Sequence, residues 1–379
     1  MQFRNPRAVV LLFGGILIAV QAAFWLLPRA SFSVNEKRVL AEAPRLTLSD
    51  IADGSAFTEI DSYLSDHFPG REALVGANAY LSQAEGRNAL GDIVRGRDSW
   101  LFPAPLAADS AVLDKNMQAI AAFADKQTVP VYLMAVPTAG AVVTEKLPAL
   151  HFAYPDAALL EEAQQLAGNN VHWVDVMSAF AGAAQPESLY YRTDHHWTSA
   201  GAYAAYCLLM QAQGRTPAAP DTFDVERVAG FYGTSYAKSG LWLTEPDEIE
   251  LWTDPALQTV TTVYDANRAE PARQEGMLFR AYLDEADKYP VFLSGNHAQV
   301  HIETSADTGR HLLVIKDSYA HALAPFLAEA YQTIDLIDLR YFKQETISDW
   351  LAANPSVDEI LFVYGLQSMA EDKTLQWLE

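Results

Sequence analysis

Apolar positions along this chain fall into three textures. The first is unbroken: over the twenty residues from Ala8 to Leu27, Gln21 is the only conventionally polar side chain. As a helix that run is about 30 Å long, enough to cross the hydrocarbon core of a bilayer. The second, over residues 31–95, is helical. In "FTEIDSYLSDHFPGREALVGANAYLSQAEG" apolar residues recur at helix spacing, and the pattern breaks at Pro69–Gly70. The third, over residues 96–379, alternates short apolar runs with amphipathic stretches.

The alternation is specific enough to place elements. "TVPVYLMAVP", "NVHWVDV", "RHLLVIK", "TIDLIDL" and "DEILFVYG" read as strands. "LDKNMQAIAAFADKQ", "DAALLEEAQQLAG", "YAHALAPFLAEAY" and "SDWLAANP" read as helices. A further helix is expected from about Ser199 to Gln213, capped by Thr198 or Ser199 and closed by Gly214. Apolar strands separated by helices predict an α/β fold with a mainly parallel sheet flanked by helices. Residues 221–300 have no clean period and read as an insertion or subdomain beside the sheet, a candidate wall of any cleft. The expected division is an anchor over 1–30, a helical stem over 31–95, and one large domain over 96–379 with that insertion.

The flanks of the first run bear on where the chain resides. Arg4 and Arg7 precede it and Arg29, Lys37 and Arg38 follow, so charge barely decides orientation, yet a long domain is translocated whatever its charge. A cleaved signal has a shorter apolar core and a clear small-x-small site, and "AVQAAFWLLPRASFS" offers only weak ones. The reading is a single-pass N-terminal anchor at the cell membrane with the bulk of the chain outside the cytoplasm. The alternative is secretion after signal cleavage.

Half the residues are apolar, so a sizeable core is expected rather than disorder. The net charge of −22 argues against nucleic acid as a partner. The single cysteine, Cys207, excludes an intramolecular disulfide and lies in an apolar helical stretch, where a small buried hydrophobe is the ordinary role.

Two loops carry candidate chemistry. "LLVIKDSYAHALAPF" puts Asp317 and Ser318 where a buried strand turns into a helix, at the carboxyl end of the sheet. A serine there presents its hydroxyl as an acyl-transfer nucleophile does, or else caps the helix; this stretch alone leaves both open. "YYRTDHHWTSAGAYAAY" supplies Asp194, His195, His196 and Trp197. If Asp194–His196 is extended, residues i and i+2 share a face, and Asp194 orients His196 toward a serine while His195 points the other way, into packing or the cleft. A metal site would need further ligands, and His172, His297, His301, His311 and His321 show no telling spacing. The spacing favours the triad over metal, with incidental histidines close behind. In "YPVFLSGNHAQVHI", Gly295 and Asn296 form either an ordinary turn or an oxyanion donor, and spacing favours the turn. The turn residue Ser99 is not a nucleophile candidate. Tyr319 and Arg340 read as a packing residue and a salt-bridging residue.

"YRTDHHWTSAGAY", "FLSGNH" and "LLVIKDSYAHALAPFLAEAYQTIDLIDLRYF" together resemble the DHHW-motif proteins. These are relatives of the AlgX- and AlgJ-type alginate O-acetyltransferases, whose domain is similar to SGNH hydrolases. The likeness runs from about "LAEAPRLTLSD" to "EILFVYGLQS", with three separated blocks in the family's order. It implies an SGNH hydrolase-like fold with a permuted order of catalytic blocks, since Asp and His precede Ser. By motif, Ser318 is the nucleophile, His196 the base and Asp194 its orienting acid. Gly295, Asn296, His195 and Trp197 are candidates for oxyanion or substrate contacts. Lys316 departs from the pattern, standing where ordinary SGNH enzymes have glycine, and "GNH" matches the Gly-x-Asn block only loosely.

The resemblance implies serine-dependent O-acetyl transfer to a cell-envelope or secreted polysaccharide, with no cofactor and no metal. It also implies a multi-spanning membrane acyltransferase that supplies acetyl groups. The alternatives are a carbohydrate esterase of the same fold, or a non-catalytic glycan-binding envelope protein that relies on aromatics such as Trp197, Tyr232, Trp242 and Trp252.

Overall fold

The computed structural model describes residues 6–265 and 270–379; Arg4, one of the flanking charges, lies outside them. Helix α1, Pro6–Leu26, has a mean hydropathy of 2.4 over Arg7–Leu26, with none of that window buried. Among the described residues it is the one helix long and apolar enough to cross a membrane.

Three helices follow, Leu48–Asp53, Ser55–Asp66 and Arg71–Ala84. Thr47 and Asp50 close a capping box at the first, satisfying two backbone N–H groups that the helix leaves free. The last two are separated at Gly70, whose φ of +73° only glycine adopts without cost. The third helix packs against the 236–243 segment of the insertion. Trp242 donates its indole N–H to the Glu72 carbonyl at 3.0 Å, and the Tyr80 hydroxyl accepts from the Leu243 amide at 2.9 Å.

The main sheet has eight strands. In chain order they are β1 Val131–Val136, β2 Val171–Trp173, β3 Thr259–Tyr264, β4 Ala272–Glu275, β5 Gln299–Thr304, β6 His311–Lys316, β7 Thr333–Ile337 and β8 Glu359–Gly365. Their spatial order is β4-β3-β5-β7-β6-β8-β1-β2. The five strands from β7 to β2 are parallel, and each expected strand is among them. Successive residues of β6 feed two cores: Leu312 and Val314 face one, Leu313 and Ile315 the other. Helices α2 (Ser199–Ala212) and α3 (Ala320–Leu327) cover the first face. Helices Ala111–Ala124 and Asp156–Leu166 cover the second, burying Leu113, Met117, Ile120 and Phe123 at helical spacing.

The insertion is not merely beside the sheet. Two of its strands, β3 and β4, with β5 starting at its end, extend it antiparallel from β7, so the sheet is mixed. The reason they were illegible lies in their burial. β3 buries Thr261 and Val263, and β5 buries Val300 and Ile302, with exposed or half-exposed residues between. Such one-faced strands lack the continuous apolar run of a covered parallel strand.

Next to α3, Glu329 is half-buried, and its Oε1 has no hydrogen-bond partner. Burial and the nearby Asp254 push its carboxyl up to about 7. The folded state therefore keeps this proton to higher pH than the unfolded chain, and stability falls as pH rises from the ordinary carboxyl range to about 7. Glu329→Gln is expected to remove that slope and raise stability by about 1 kcal/mol at pH 8, discounted for partial exposure. Thermal melts of both proteins at pH 5 and pH 8 check this; a lower melting temperature for the variant at pH 8 would contradict it.

Candidate active site

The carboxyl ends of β1, β6, β7 and β8 form the rim where open α/β sheets place their ligands. Because β5 runs antiparallel to β7, pairing Gln299 with Ile337, its start also lies at this rim, bringing residues 295–297 there.

Ser318 sits in the turn between β6 and α3 and is half-buried. Asp317 fixes that turn. One oxygen of its buried carboxylate accepts from the Tyr319 amide and the other from the Gly365 amide at the end of β8, both at 2.9 Å. Burial raises the Asp317 carboxyl above its ordinary value, against the lowering effect of Ser368 and these amides. The Ser318 hydroxyl does not cap α3, whose first turn has no side-chain cap. It lies instead 2.7 Å from His196 Nε2.

His196 stands on a narrow loop that doubles back on itself. Tyr190 and Trp197 form an isolated antiparallel bridge, and the Tyr191 amide donates to the His196 carbonyl at 3.3 Å. At the tip, Asp194–His196 is bent, not extended. The Asp194 carboxylate accepts from the His196 amide at 2.9 Å, an Asx turn, and from His196 Nδ1 at 2.5 Å. The acid and the imidazole meet through that turn and not through strand alternation. The other Asp194 oxygen accepts from the Thr234 amide at 2.6 Å and hydroxyl at 3.1 Å. Burial alone would raise this carboxyl, but His196, His195 and these donors hold it well below the usual carboxylate range. With Nδ1–H donating to Asp194, Nε2 is the acceptor for the Ser318 hydroxyl.

Several further groups hold this geometry. The Tyr289 ring stacks on His196 at 4.0 Å between centroids and 10° between planes, and its hydroxyl donates to the Ser318 carbonyl at 3.3 Å. Asp247 accepts from the Thr193 amide at 2.8 Å and its hydroxyl at 2.7 Å, and that hydroxyl accepts from the Gly233 amide. Thr234, Tyr289 and Asp247 lie within residues 221–300, where no periodic signal exists to point to them.

Two expectations need correction. Trp197 is fully buried against Phe180 and Tyr319, and its indole N–H donates to the Tyr319 carbonyl at 3.1 Å, so it braces the serine turn and has no surface for a substrate. His195 does not point away from His196: their rings are 3.8 Å apart, and His195 Nδ1 pairs with the Thr234 hydroxyl at 2.6 Å. The protein around it and the adjacent His196 hold His195 below the ordinary imidazole range. Its side chain remains one-third exposed and faces a cavity.

Gly295 adopts φ of +88° in a turn whose preceding residues, Leu293 and Ser294, are also left-handed. Asn296 is exposed, and its Oδ1 accepts from Arg340 at 3.4 Å. Arg340 forks onto buried Asp338 at 2.9 and 2.6 Å, the salt-bridging role expected of it. Tyr319 does pack at the head of α3, and its hydroxyl also donates to the His195 carbonyl at 2.5 Å. Among the aromatics of the glycan-binding alternative, Tyr232 packs on Tyr236, and Trp252 stacks on Tyr203.

Asp194, His195 and His196 have ligand atoms within 4.8 Å of one another, a spacing compatible with a cation. Those atoms already serve other bonds: both His196 nitrogens, both Asp194 oxygens and His195 Nδ1 are hydrogen-bonded.

With this geometry in hand, a family model for the SGNH hydrolase-like domain of the acetyltransferase AlgX matches residues 93–297, more than half of the chain. The chain belongs to this family. The matched stretch holds the Asp194–His196 loop, and Ser318 lies beyond it. Among solved structures, a DHHW family protein from Eubacterium siraeum DSM 15702 is similar at 24% identity and a TM-score of 0.62, over 75% of this chain and 93% of that one. Bacillus cereus PatB1 with a sulfonyl adduct is similar at 19% identity and a TM-score of 0.64, over 77% of this chain and 100% of that one. The O-acetyltransferase domain of Pseudomonas putida AlgJ aligns at 17% identity and a TM-score of 0.45, over 74% and 92% of the two chains. No curated protein matches. The first two likenesses show that this AlgX-family chain has the fold of those proteins.

The closest approach in the AlgX-family site is at Gly233, where an added Cβ would sit 2.1 Å from the Asp194 Cβ. Gly233→Ala is therefore expected to push Asp194 off Thr234 and cost about 1–3 kcal/mol, as overpacking does. Denaturant unfolding checks it, and an unchanged midpoint would show that the loop yields at no cost.

Proposed function

We propose that this protein is an extracytoplasmic O-acetyltransferase that modifies a cell-envelope or secreted polysaccharide through a Ser318–His196–Asp194 triad. The observation that carries the reading is the unbroken line from the Ser318 hydroxyl to His196 Nε2 at 2.7 Å and from His196 Nδ1 to Asp194 at 2.5 Å. Membership of the family of the SGNH hydrolase-like domain of the acetyltransferase AlgX supports it.

In the first half-reaction, the Ser318 Oγ attacks the acetyl carbonyl carbon of a donor ester while His196 Nε2 takes the hydroxyl proton. The imidazolium so formed is stabilised by Asp194, which stays ionised. The tetrahedral intermediate collapses, the donor's C–O bond breaks, and His196 returns the proton to the leaving oxygen. In the second, a sugar hydroxyl gives its proton to His196 and attacks the acetyl-Ser318 carbonyl, so the ester passes to the sugar and Ser318 regains its proton. Water in place of the sugar gives the esterase outcome. The Ser318 backbone N–H and Asn296 are the proposed oxyanion donors, with the turn at Gly295 presenting Asn296 at the rim.

The rest of the proposal concerns placement. Helix α1 anchors the chain in the membrane, residues 31–95 are a stem, and residues 96–379 form the catalytic domain outside the cytoplasm. The acetyl donor comes from a multi-spanning membrane acyltransferase, as the resemblance implies.

The test uses the full chain in detergent with 4-nitrophenyl acetate, following the 4-nitrophenol burst and the intact mass. Wild type is expected to give a burst and one acetyl adduct, with both lost in Ser318→Ala and His196→Ala. Asp194→Asn is expected to lower turnover by on the order of 10³–10⁴. Turnover that survives Ser318→Ala but is lost on chelation would replace this reading with metal-dependent hydrolysis.

A further inference from the structure

A cavity of about 250 Å³ adjoins the triad on the His195 side. It has no part in the two half-reactions, yet it is built from the elements that position them. His195 and Tyr319 form the wall nearest the triad, Thr138 and Gln367 come from the ends of β1 and β8, and Thr234 and Lys238 come from the insertion. Ser318 is one residue from Tyr319 and is not on the cavity wall. A ligand held here therefore lies beside the reacting group and not on it.

The cavity is smaller than the roughly 300–1,000 Å³ of drug-sized sites, so it suits one small unit and not a length of polymer. Its wall is dense in hydrogen-bonding side chains around one aromatic ring, Tyr319. Thr138, in this wall, is fixed by its amide, which donates to the buried Asp156 carboxylate at 2.6 Å. Charge narrows the class further. One cation, Lys238, and two carboxylates, Asp92 and Glu371, stand exposed around the cavity. Glu371 is steadied by a hydrogen bond from Gln367 at 3.2 Å. A bound carboxylate would face an excess of negative charge, on a chain whose net charge is −22.

We propose that this cavity is an acceptor subsite holding the sugar residue next to the one that is acetylated, and that it selects a neutral or amino sugar over a uronic acid. The proposal deepens the polysaccharide reading above and rests on it for the identity of the acceptor. It is separable from that reading, because binding is measured apart from acyl transfer.

The test is calorimetric titration of the full-length Ser318→Ala protein in detergent with cellotetraose, mannotetraose, chitotetraose and tetramannuronate. At least one neutral or amino-sugar tetramer is expected to bind at least about tenfold more tightly than tetramannuronate. Filling the cavity with Gln367→Trp is expected to weaken that binding at least about tenfold, and Glu371→Lys to narrow the gap between the two classes. Circular dichroism on each variant shows whether it folds, and Glu371→Lys, at an exposed position, keeps the test alive if Gln367→Trp does not. Tetramannuronate binding as well as or better than every other tetramer overturns the proposal, as does binding by none of the four. A folded Gln367→Trp that binds normally overturns it too. The 4-nitrophenol burst of the Ser318-containing protein decides the chemistry separately: loss of the burst with neutral-sugar binding intact overturns the acyl-enzyme and leaves the subsite standing.

Discussion

The site depends on the buried carboxylate of Asp194. An ionised group taken out of water is costly unless its lone pairs are filled, and here four donors fill them: the His196 amide and imidazole on one oxygen, the Thr234 amide and hydroxyl on the other. That arrangement fixes which nitrogen of His196 carries its proton, and so leaves Nε2 to face Ser318. It also ties together three separate parts of the chain: the loop before α2, the insertion at Thr234 and, through His196, the turn after β6. Removing any one donor would leave one lone pair of a buried charge unfilled.

The insertion is therefore part of the scaffold of this site. Gly233 lets its backbone approach Asp194 more closely than any side chain would permit, and Asp247 secures Thr193 directly beside it. Tyr289 covers the open face of the imidazole and reaches the Ser318 carbonyl. The same segment then joins the sheet as β3, β4 and the start of β5, so its grip on the site is anchored in the main hydrogen-bond ladder. Displacing the insertion would loosen Asp194 and uncover the His196 ring together.

How much of this could be read beforehand follows from the physics of each part. Strands such as Val131–Val136 and His311–Lys316 are buried on both faces, so they are continuous apolar runs that composition reveals. Thr198 announces α2 because capping is local, and its side chain accepts from the Gly201 amide. The proximity of Asp194 to His196 was legible from spacing, though the mechanism was not: an Asx turn brings them together where extended backbone was expected. Thr234, Tyr289 and Asp247 were not legible at all. Their roles arise from contacts across 29 or more residues of chain, in a segment without a period, and nothing local distinguishes them from ordinary polar or aromatic residues. Trp197 misled for a related reason. An aromatic beside two histidines looks like a ligand platform, and only packing shows it to be an internal brace.

Lys316 shows how a departure from a family pattern acquires a physical meaning. Its side chain is fully buried at the end of β6, with its ammonium 3.5 Å from Asp338 and 2.7 Å from His321 Nε2. Burial lowers the ammonium from its ordinary value while Asp338 opposes that shift, and burial with Lys316 nearby holds His321 well below the imidazole range. A charged Lys316 can only donate, so the His321 proton must sit on Nδ1, a buried nitrogen without a partner. Asp338 meanwhile accepts the fork of Arg340, whose other contact is Asn296 at the rim. A glycine in place of Lys316 would leave Asp338 to Arg340 alone and open a void beneath the serine turn. Breaking a buried pair in this way costs about 3–5 kcal/mol. The lysine is thus one end of a line of charged contacts that runs from the end of β6 through Asp338 and Arg340 to the turn carrying Asn296.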